Sequence, residues 1–413
     1  MIFFATTAKN LEPLLLEELK TLGANEVKGT HLGVYFKANL ETAYRVCLWS
    51  RLAHHIFLEL KQFGAMNQEN LYGAMRSVDW SQHLDVKQTF RIDVSGKHPT
   101  LTHPHFIAQV AKDAIVDQFR KNTGERPSIE PDQPDVVFHL HVRDEHFTLN
   151  LDLSGESLHR RGLRTETGAA PLKETLAAAI LIRMGWPKMF KQNNMMLFDP
   201  CCGAGTLLLE GAMMAYDIAP SLLRQYYGFL GWKQHQAEVW QKLLTEAQAR
   251  AAVGCKANAP LIMGFDLEPS ALMAAEQNFK KLNLSHVLTL EQHSIADINH
   301  TTLQKHQGLL VTNPPYGKRL MAGRDTEIEQ LYTDLGIVIK SQLEGWKIGI
   351  FTSDPLPVKA IRMRPKKQYQ FLNGTLECSL ISFEARPEHY WREEHSGRQS
   401  TASTAAIAHE KND

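Results

Sequence analysis

Over residues 195–382 short apolar runs alternate with stretches of helical periodicity, and that alternation limits the chain to one fold class. Strands are drawn at 195–198, 261–265, 287–290, 309–311, 347–351, 368–372 and 376–382. The run 309–311 reads as a buried parallel strand, and the others are drawn as strands of the same sheet. Helices are expected between them at 206–216, 237–252, 268–282 and 327–343. Another, at 172–184, precedes the first strand and is ended by Gly185-Trp186-Pro187. Strands separated by helices make parallel βαβ units, and these build an open, doubly wound α/β sheet. The last two strands are joined instead by Asn373-Gly374, a strong short hairpin signal. The sheet should therefore finish in an antiparallel pair, which a plain dinucleotide-binding domain lacks.

Open α/β sheets bind ligands beyond the carboxyl ends of their strands, and three of those ends carry chemistry. The first is Met195-Met196-Leu197-Phe198-Asp199-Pro200-Cys201-Cys202-Gly203-Ala204-Gly205-Thr206. Asp199 sits at the strand tip, Gly203 and Gly205 let backbone approach a ligand closely, and a helix starts at Thr206. A dinucleotide fingerprint needs a third glycine, and Leu208 stands there. A carboxylate ahead of the loop suits a cationic or hydroxyl-bearing ligand better than a diphosphate. The second end is Gly264-Phe265-Asp266-Leu267, where Asp266 can accept from ribose hydroxyls. Its distance from the glycine loop exceeds the usual roughly 20 residues. The extra length is an insertion around 226–244 holding Tyr226, Tyr227, Phe229 and Trp232, which either pack on one another or meet RNA.

The third end is Leu309-Leu310-Val311-Thr312-Asn313-Pro314-Pro315-Tyr316-Gly317. The prolines donate nothing to a ladder and end the strand in a stiff, extended lip. Pro314 also holds Asn313 away from helical dihedrals. The Asn313 amide oxygen and a backbone carbonyl freed by the prolines can accept from a planar amine, and Tyr316 offers a face for a nucleobase. Two acceptors on such an amine aim its lone pair at an electrophile, which is catalysis by positioning and electrostatics. The plain alternative is a Pro-Pro turn after a core strand.

Together these motifs resemble a class I S-adenosylmethionine (SAM) methyltransferase acting on exocyclic amines. More narrowly, the chain is similar to the bacterial 23S rRNA guanine-N2 methyltransferases with an N-terminal THUMP domain, the RlmL family. Leu151-Asp152-Leu153-Ser154-Gly155, Leu158-His159-Arg160-Arg161-Gly162-Leu163-Arg164, Pro171-Leu172-Lys173-Glu174-Thr175-Leu176-Ala177-Ala178-Ala179-Ile180 and Gly228-Phe229-Leu230-Gly231-Trp232 extend the match to about residue 385. Many members are fused to a second methyltransferase. One glycine loop and one Asn-Pro-Pro-Tyr here indicate the single-enzyme form.

The resemblance implies SAM over the 203–205 loop, with Asp199 near its methionine end, Asp266 and Leu267 at its ribose, and Cys201 and Thr206 lining the loop. Relatives place an Asp after the third strand against the adenine. Here Ser294 occupies that place and Asp297 follows three residues on, so either Asp297 or Ser294 with the Ile295 backbone serves. The target guanine, at the family's guanine-2445 site, leaves its stack. It rests on Tyr316 and donates its N2 to Asn313 and the Pro314 carbonyl, with Pro315, Lys318 and Arg319 around the flipped nucleotide. Competing readings are a tRNA guanine enzyme, methylation of adenine N6 or a glutamine amide, and a non-catalytic RNA-binding assembly factor.

Ahead of the catalytic region, residues 1–60 read as a ferredoxin-like α+β unit. Leu11, Leu14, Leu15, Leu19 and Leu22 recur at helical spacing before Gly23. Residues 61–154 continue as mixed α/β, the THUMP domain by resemblance. A strand is expected at 89–94, a helix at 105–120 and a hairpin at 136–142 and 147–153. Arg91, Lys97, Lys112, Arg120, Lys121 and Arg126 either line an RNA face or are ordinary solvated cations. Residues 155–171 read as a linker. Its Arg160, Arg161 and Arg164 face RNA phosphate, the edge of the cofactor pocket, or only solvent. The catalytic domain spans 172–385, and the polar tail from 386 reads as disordered.

Lys+Arg 45 against Asp+Glu 45 give zero formal net charge, so contact with 23S rRNA, or its assembly precursor, rests on local patches. Five cysteines suit a reducing compartment. Neither Cys201-Cys202 nor the His139/His141 pair has metal spacing, so no metal is expected. With no basic leader and no long apolar run, a cytoplasmic, membrane-free protein is expected.

Overall fold

The structure is a computed structural model and describes residues 1–163, 172–254, 260–298, 301–315 and 325–386. Two compact units emerge. One comprises Met1–Thr165, Lys173–Ala179 and Asp217–Val253, and the other Glu166–Leu172, Ile180–Tyr216 and Gly254–Asp413.

Among the described residues of the first unit lie β1 (Ile2–Thr6), β2 (Asn25–Thr30), β3 (Gly33–Lys37), β4 (Ile56–Gly64), β5 (Thr89–Lys97), β6 (Ser128–Ile129), β7 (Val136–Arg143) and β8 (His146–Asp152). They form one sheet in the order β2-β3-β1-β4-β8-β7-β5-β6. Pairing is antiparallel except where β5 meets β6 and β7. The leucine periodicity near the start becomes the helix Glu12–Thr21, with Leu15 and Leu19 buried. Gly23, at φ +96°, closes it, its N–H on the Lys20 carbonyl. The basic-ended helix Pro104–Thr123 stops at Gly124 in the same left-handed conformation.

The insertion 217–253 belongs to this unit, although in sequence it lies between two strands of the other. Its aromatic residues explain why. Phe229 stacks on Tyr44 at 4.4 Å, and Trp240 meets Phe229 edge-on at 5.0 Å. Trp232 donates to His83 Nδ1 at 3.1 Å, and the Tyr226 hydroxyl to the Pro134 carbonyl at 2.8 Å. Tyr227, Phe229 and Trp232 are buried, so their faces are taken up by packing and are closed to nucleobases.

The segment expected as a linker is likewise fastened over its described part. Arg224, buried, donates to the carbonyls of Ser154, Glu156, Ser157, Arg160 and Tyr226 at 2.7–3.1 Å. Arg161 is 1% exposed and donates to the carbonyls of Ser50, Arg51 and Leu158. The expectation that Arg161 faces RNA or a cofactor is therefore corrected. A guanidinium presents five N–H donors, and here they satisfy irregular backbone that no sheet or helix pairs. Arg160 stays exposed, beside Glu156 at 3.3 Å. Arg164 lies outside the described residues.

The second unit carries β9 (Met195–Asp199), β10 (Leu261–Asp266), β11 (Leu288–Gln292), β12 (Gln307–Thr312), β13 (Lys347–Thr352), β14 (Lys367–Asn373) and β15 (Leu376–Glu384). Their order is β11-β10-β9-β12-β13-β15-β14. The strands β9 to β13 run parallel, and β15 is antiparallel to both its neighbours. The Asn373-Gly374 hairpin is present, with Gly374 at φ +67°. Every residue of β9 is buried, as its unbroken apolar run requires. Among the described residues no helix is long and apolar enough to cross a membrane.

Two measurements test the first unit. Arg224→Ala leaves several buried carbonyls without a donor, and should cost on the order of 3 kcal/mol in denaturant unfolding. The histidines set a pH dependence. Burial holds His54 and His139 down at about 4 and His159 at about 3, against an ordinary 6.5. Their contribution to stability is whole above 6.5 and shrinks as pH falls toward those values, because the unfolded chain binds protons first. For His55, burial opposes the charge, but Asp152 at 2.8 Å outweighs it and raises the pKa. Its contribution is whole below 6.5 and fades as pH rises past the raised value. His83, His141 and His235 are lowered too and act in the same sense, against His55 and the raised carboxyl of Glu18, so the unfolding midpoint should drop on acidification from about pH 7 to about pH 5.

Candidate functional site

Parallel pairing brings the carboxyl ends of β9, β10 and β12 side by side. Asp199 pairs with Gly264, so Asp266 stands two residues past it on the neighbouring strand. Phe198 pairs with Leu310 on the other side, which puts Thr312 and Asn313 at the same edge. The three ends singled out in the sequence thus form one rim.

Asp199 is 1% exposed. Burial pushes its carboxyl up to about 7, the Thr312 hydroxyl and the Cys201 N–H pull it down, and the neighbouring Asp266 pushes it up. Its Oδ1 accepts from that N–H at 3.1 Å. The Thr312 hydroxyl is close enough to act electrostatically without forming a well-shaped hydrogen bond. Its role was not foreseen, and its only trace in the sequence is a polar residue ending an apolar run. The turn that follows is tightly held. Cys202 N–H donates to the Phe265 carbonyl and Gly205 N–H to the Cys202 carbonyl, both at 2.8 Å. Gly203 N–H donates to Asp266 Oδ2 at 2.7 Å, and Glu268 N–H to Asp266 Oδ1 at 3.0 Å. Cys201 and Cys202 are free thiols, and burial raises both well above the ordinary range.

The two glycines differ in what surrounds them. Gly203 has φ +53°, and a Cβ built there meets nothing within 4 Å, so the backbone opens onto free space. Gly205 has φ +75°, and a Cβ there falls 3.0 Å from Ala275 Cβ. Gly203 faces outward and Gly205 is a packing contact, after which the helix Thr206–Ala215 begins.

Beyond β10, Leu267 is 61% exposed and its carbonyl accepts from the Gln292 amide at 3.1 Å. Beyond β11, Ser294 Oγ accepts from Ala296 N–H at 3.3 Å and caps a single helical turn, while Ile295 is buried and Asp297 exposed. The Asn313 Oδ1 atom is buried and has no hydrogen-bond partner among the described residues, beside a buried Pro314 and a half-buried Pro315. Tyr316, Lys318 and Arg319 lie outside the described residues. His139 stacks on Phe57 at 4.4 Å and His141 Nδ1 meets Ser95 Oγ at 3.1 Å. Among the described residues no group of three His, Cys, Asp or Glu side chains could hold a metal.

Both glycine-to-alanine changes put a Cβ on left-handed backbone, at about 1–2 kcal/mol. Gly205→Ala adds the clash with Ala275 and should destabilise more than Gly203→Ala in denaturant unfolding, whereas Gly203→Ala should remove open space over the loop.

The chain matches known proteins along most of its length. Residues 161–382 match the RMKL-like methyltransferase domain, residues 2–57 the RlmL ferredoxin-like domain, and residues 65–152 the THUMP domain. The ribosomal RNA large subunit methyltransferase K/L of Syntrophotalea carbinolica is 43% identical over 390 residues, which is 94% of this chain and 54% of that protein. The chain spans about half the length of the curated relatives it matches. A solved protein described as a methyltransferase, complexed with SAH, superposes with TM-score 0.80 at 27% identity, covering 93% of this chain and 98% of the other. A predicted N6-adenine-specific DNA methylase from Listeria monocytogenes gives TM-score 0.78 at 26% identity, covering 93% and 96%. The rim formed by Asp199, Asp266 and Asn313 lies on a class I methyltransferase sheet, and this chain belongs to the RMKL-like methyltransferases, in the RlmL form that carries ferredoxin-like and THUMP domains.

Proposed function

We propose that this chain methylates the exocyclic N2 of a guanine in 23S rRNA with SAM as donor, giving N2-methylguanine. The observation that carries the reading is the Asn313 amide oxygen, buried and unpartnered at the rim. A buried acceptor without a donor costs about 1–3 kcal/mol, and a ring amine of the substrate supplies the missing N–H.

The residues present fit the cofactor. Open space lies over Gly203, and a buried and a half-buried carboxylate stand at the tips of β9 and β10. When bound, SAM supplies an electrophilic methyl group on a sulfonium. The chain's own part is to bind and orient. Asp199 complements positive charge at the methionine end, and Asp266, with both oxygens already accepting from backbone, still has lone pairs for ribose hydroxyls. Leu267 at the end of β10 and the Ser294–Ile295 turn border the ribose and base. Asn313 and the Pro314 carbonyl take the two amine hydrogens and turn the nitrogen lone pair outward. Asn313 cannot act as a base, so the proton released on methylation passes to solvent. Tyr316 is the stacking partner in this reading, and Lys318 and Arg319 hold phosphate.

The choice of rRNA rests on the relatives' name and on the THUMP domain. A second reading, methylation of adenine N6, draws on the description of the Listeria protein, and the Asn-Pro-Pro lip serves it equally well. Radiolabelled methyl transfer to protein-free 23S rRNA, to tRNA and to DNA, followed by nucleoside analysis, decides between them. N2-methylguanine from 23S rRNA is the expected product, and N6-methyladenine would reject the guanine reading.

Two further outcomes are expected. Asn313→Ala should keep SAM binding in calorimetry and lower kcat by about 10²–10³; unchanged kcat refutes its role. SAM affinity should rise about tenfold from about pH 6 to about pH 8, because a cationic ligand favours the ionised carboxylate of Asp199. Asp199→Asn should flatten that profile.

A further inference from the structure

The glycine loop is held from three sides, and only two of them are accounted for by the cofactor reading. Asp199 holds it from β9 and Asp266 from β10. The third hold comes from the helix Pro269–Lys281. There Asn278, 7% exposed, donates its amide to the Ala204 carbonyl at 3.2 Å. Ala275, one turn earlier, lies against Gly205, and Phe279 completes the same helix face.

Asparagine is a poor choice for a helix interior, and a polar group on a buried face is costly unless bonded. The loop supplies the reason for it. Ala204 lies between two glycines in left-handed conformation, so the peptide around it has no steric preference of its own. Without the amide, the Ala204–Gly205 peptide is held only at its other end, by the Gly205 N–H on the Cys202 carbonyl, and its carbonyl gains freedom to tilt.

We propose that Asn278 is a positioning residue for the cofactor loop. Its amide fixes the peptide after Ala204, so that Gly203 presents open backbone to the ligand and the N-terminus of the helix Thr206–Ala215 is aimed. Asn278 touches neither cofactor nor substrate; it acts through the Ala204 carbonyl. This rests on the reading that SAM binds over the loop.

The test uses the full chain and binding of SAH, measured by calorimetry. Asn278→Asp keeps the shape but replaces the donor with an acceptor. It should weaken SAH binding about tenfold and raise KM for SAM while leaving kcat and KM for RNA unchanged. Leu380→Ala, buried in β15 away from the loop, is the control for lost packing. It should lower the melting temperature without ligand yet bind SAH nearly as wild type does. If Asn278→Asp fails to fold, Asn278→Ser, too short to reach Ala204, gives the same readout. Wild-type affinity in the Asn278 variants, or a loss no larger than that of Leu380→Ala at equal stability, overturns the proposal. Failure of the wild-type chain to bind SAH would instead refute the cofactor reading on which it stands.

Discussion

The Gly203 N–H on Asp266 Oδ2 ties the glycine loop to the neighbouring strand. A loop with two glycines in left-handed conformation has many shapes of similar energy, and conformational entropy favours all of them. What selects one shape is a set of contacts from outside the loop. Asp266 comes from the adjacent strand, the Phe265 carbonyl extends the ladder by one bond to Cys202, and the helix Pro269–Lys281 backs Ala204 and Gly205. The same interaction draws one carboxylate toward another, which is part of why Asp199 titrates so high. Backbone N–H groups offset that repulsion, and a cation near Asp199 would offset it further.

The rim works because parallel strands end together. Strand pairing fixes Asp199, Asp266 and Asn313 at one edge with no side chain having to reach for another. The prolines after Asn313 remove donors where the strand stops, and among the described residues nothing satisfies the amide oxygen. Natural structures leave few such atoms, and each calls for a physical reason.

The N-terminal unit shows a different economy. It has more irregular backbone than its sheet can pair, and two buried arginines answer for it, each satisfying several carbonyls at once. Stacked rings from Tyr44, Tyr227, Phe229 and Trp240 make the insertion part of this unit's core. Aromatic burial, worth more per residue than any surface ion pair, explains why a stretch far away in sequence joins it.

Much of this was legible beforehand, because period and punctuation are local. Seven strands, their hairpin end and the residues at the tips of β9, β10 and β12 follow from apolar runs ended by Asp, Gly and Pro, each acting within a few residues of itself. The fates of Arg161 and of the insertion's aromatic residues were not legible. A guanidinium looks the same on paper whether it meets phosphate or backbone carbonyls, and a phenylalanine looks the same whether it stacks on a base or on Tyr44. The Asn278 amide was equally hidden, since its partner is a backbone carbonyl 74 residues away. Sequence alone determined which chemistry the chain can present. Only the tertiary structure decided which side chains remain free to present it, because burial is a property of neighbours brought together by folding.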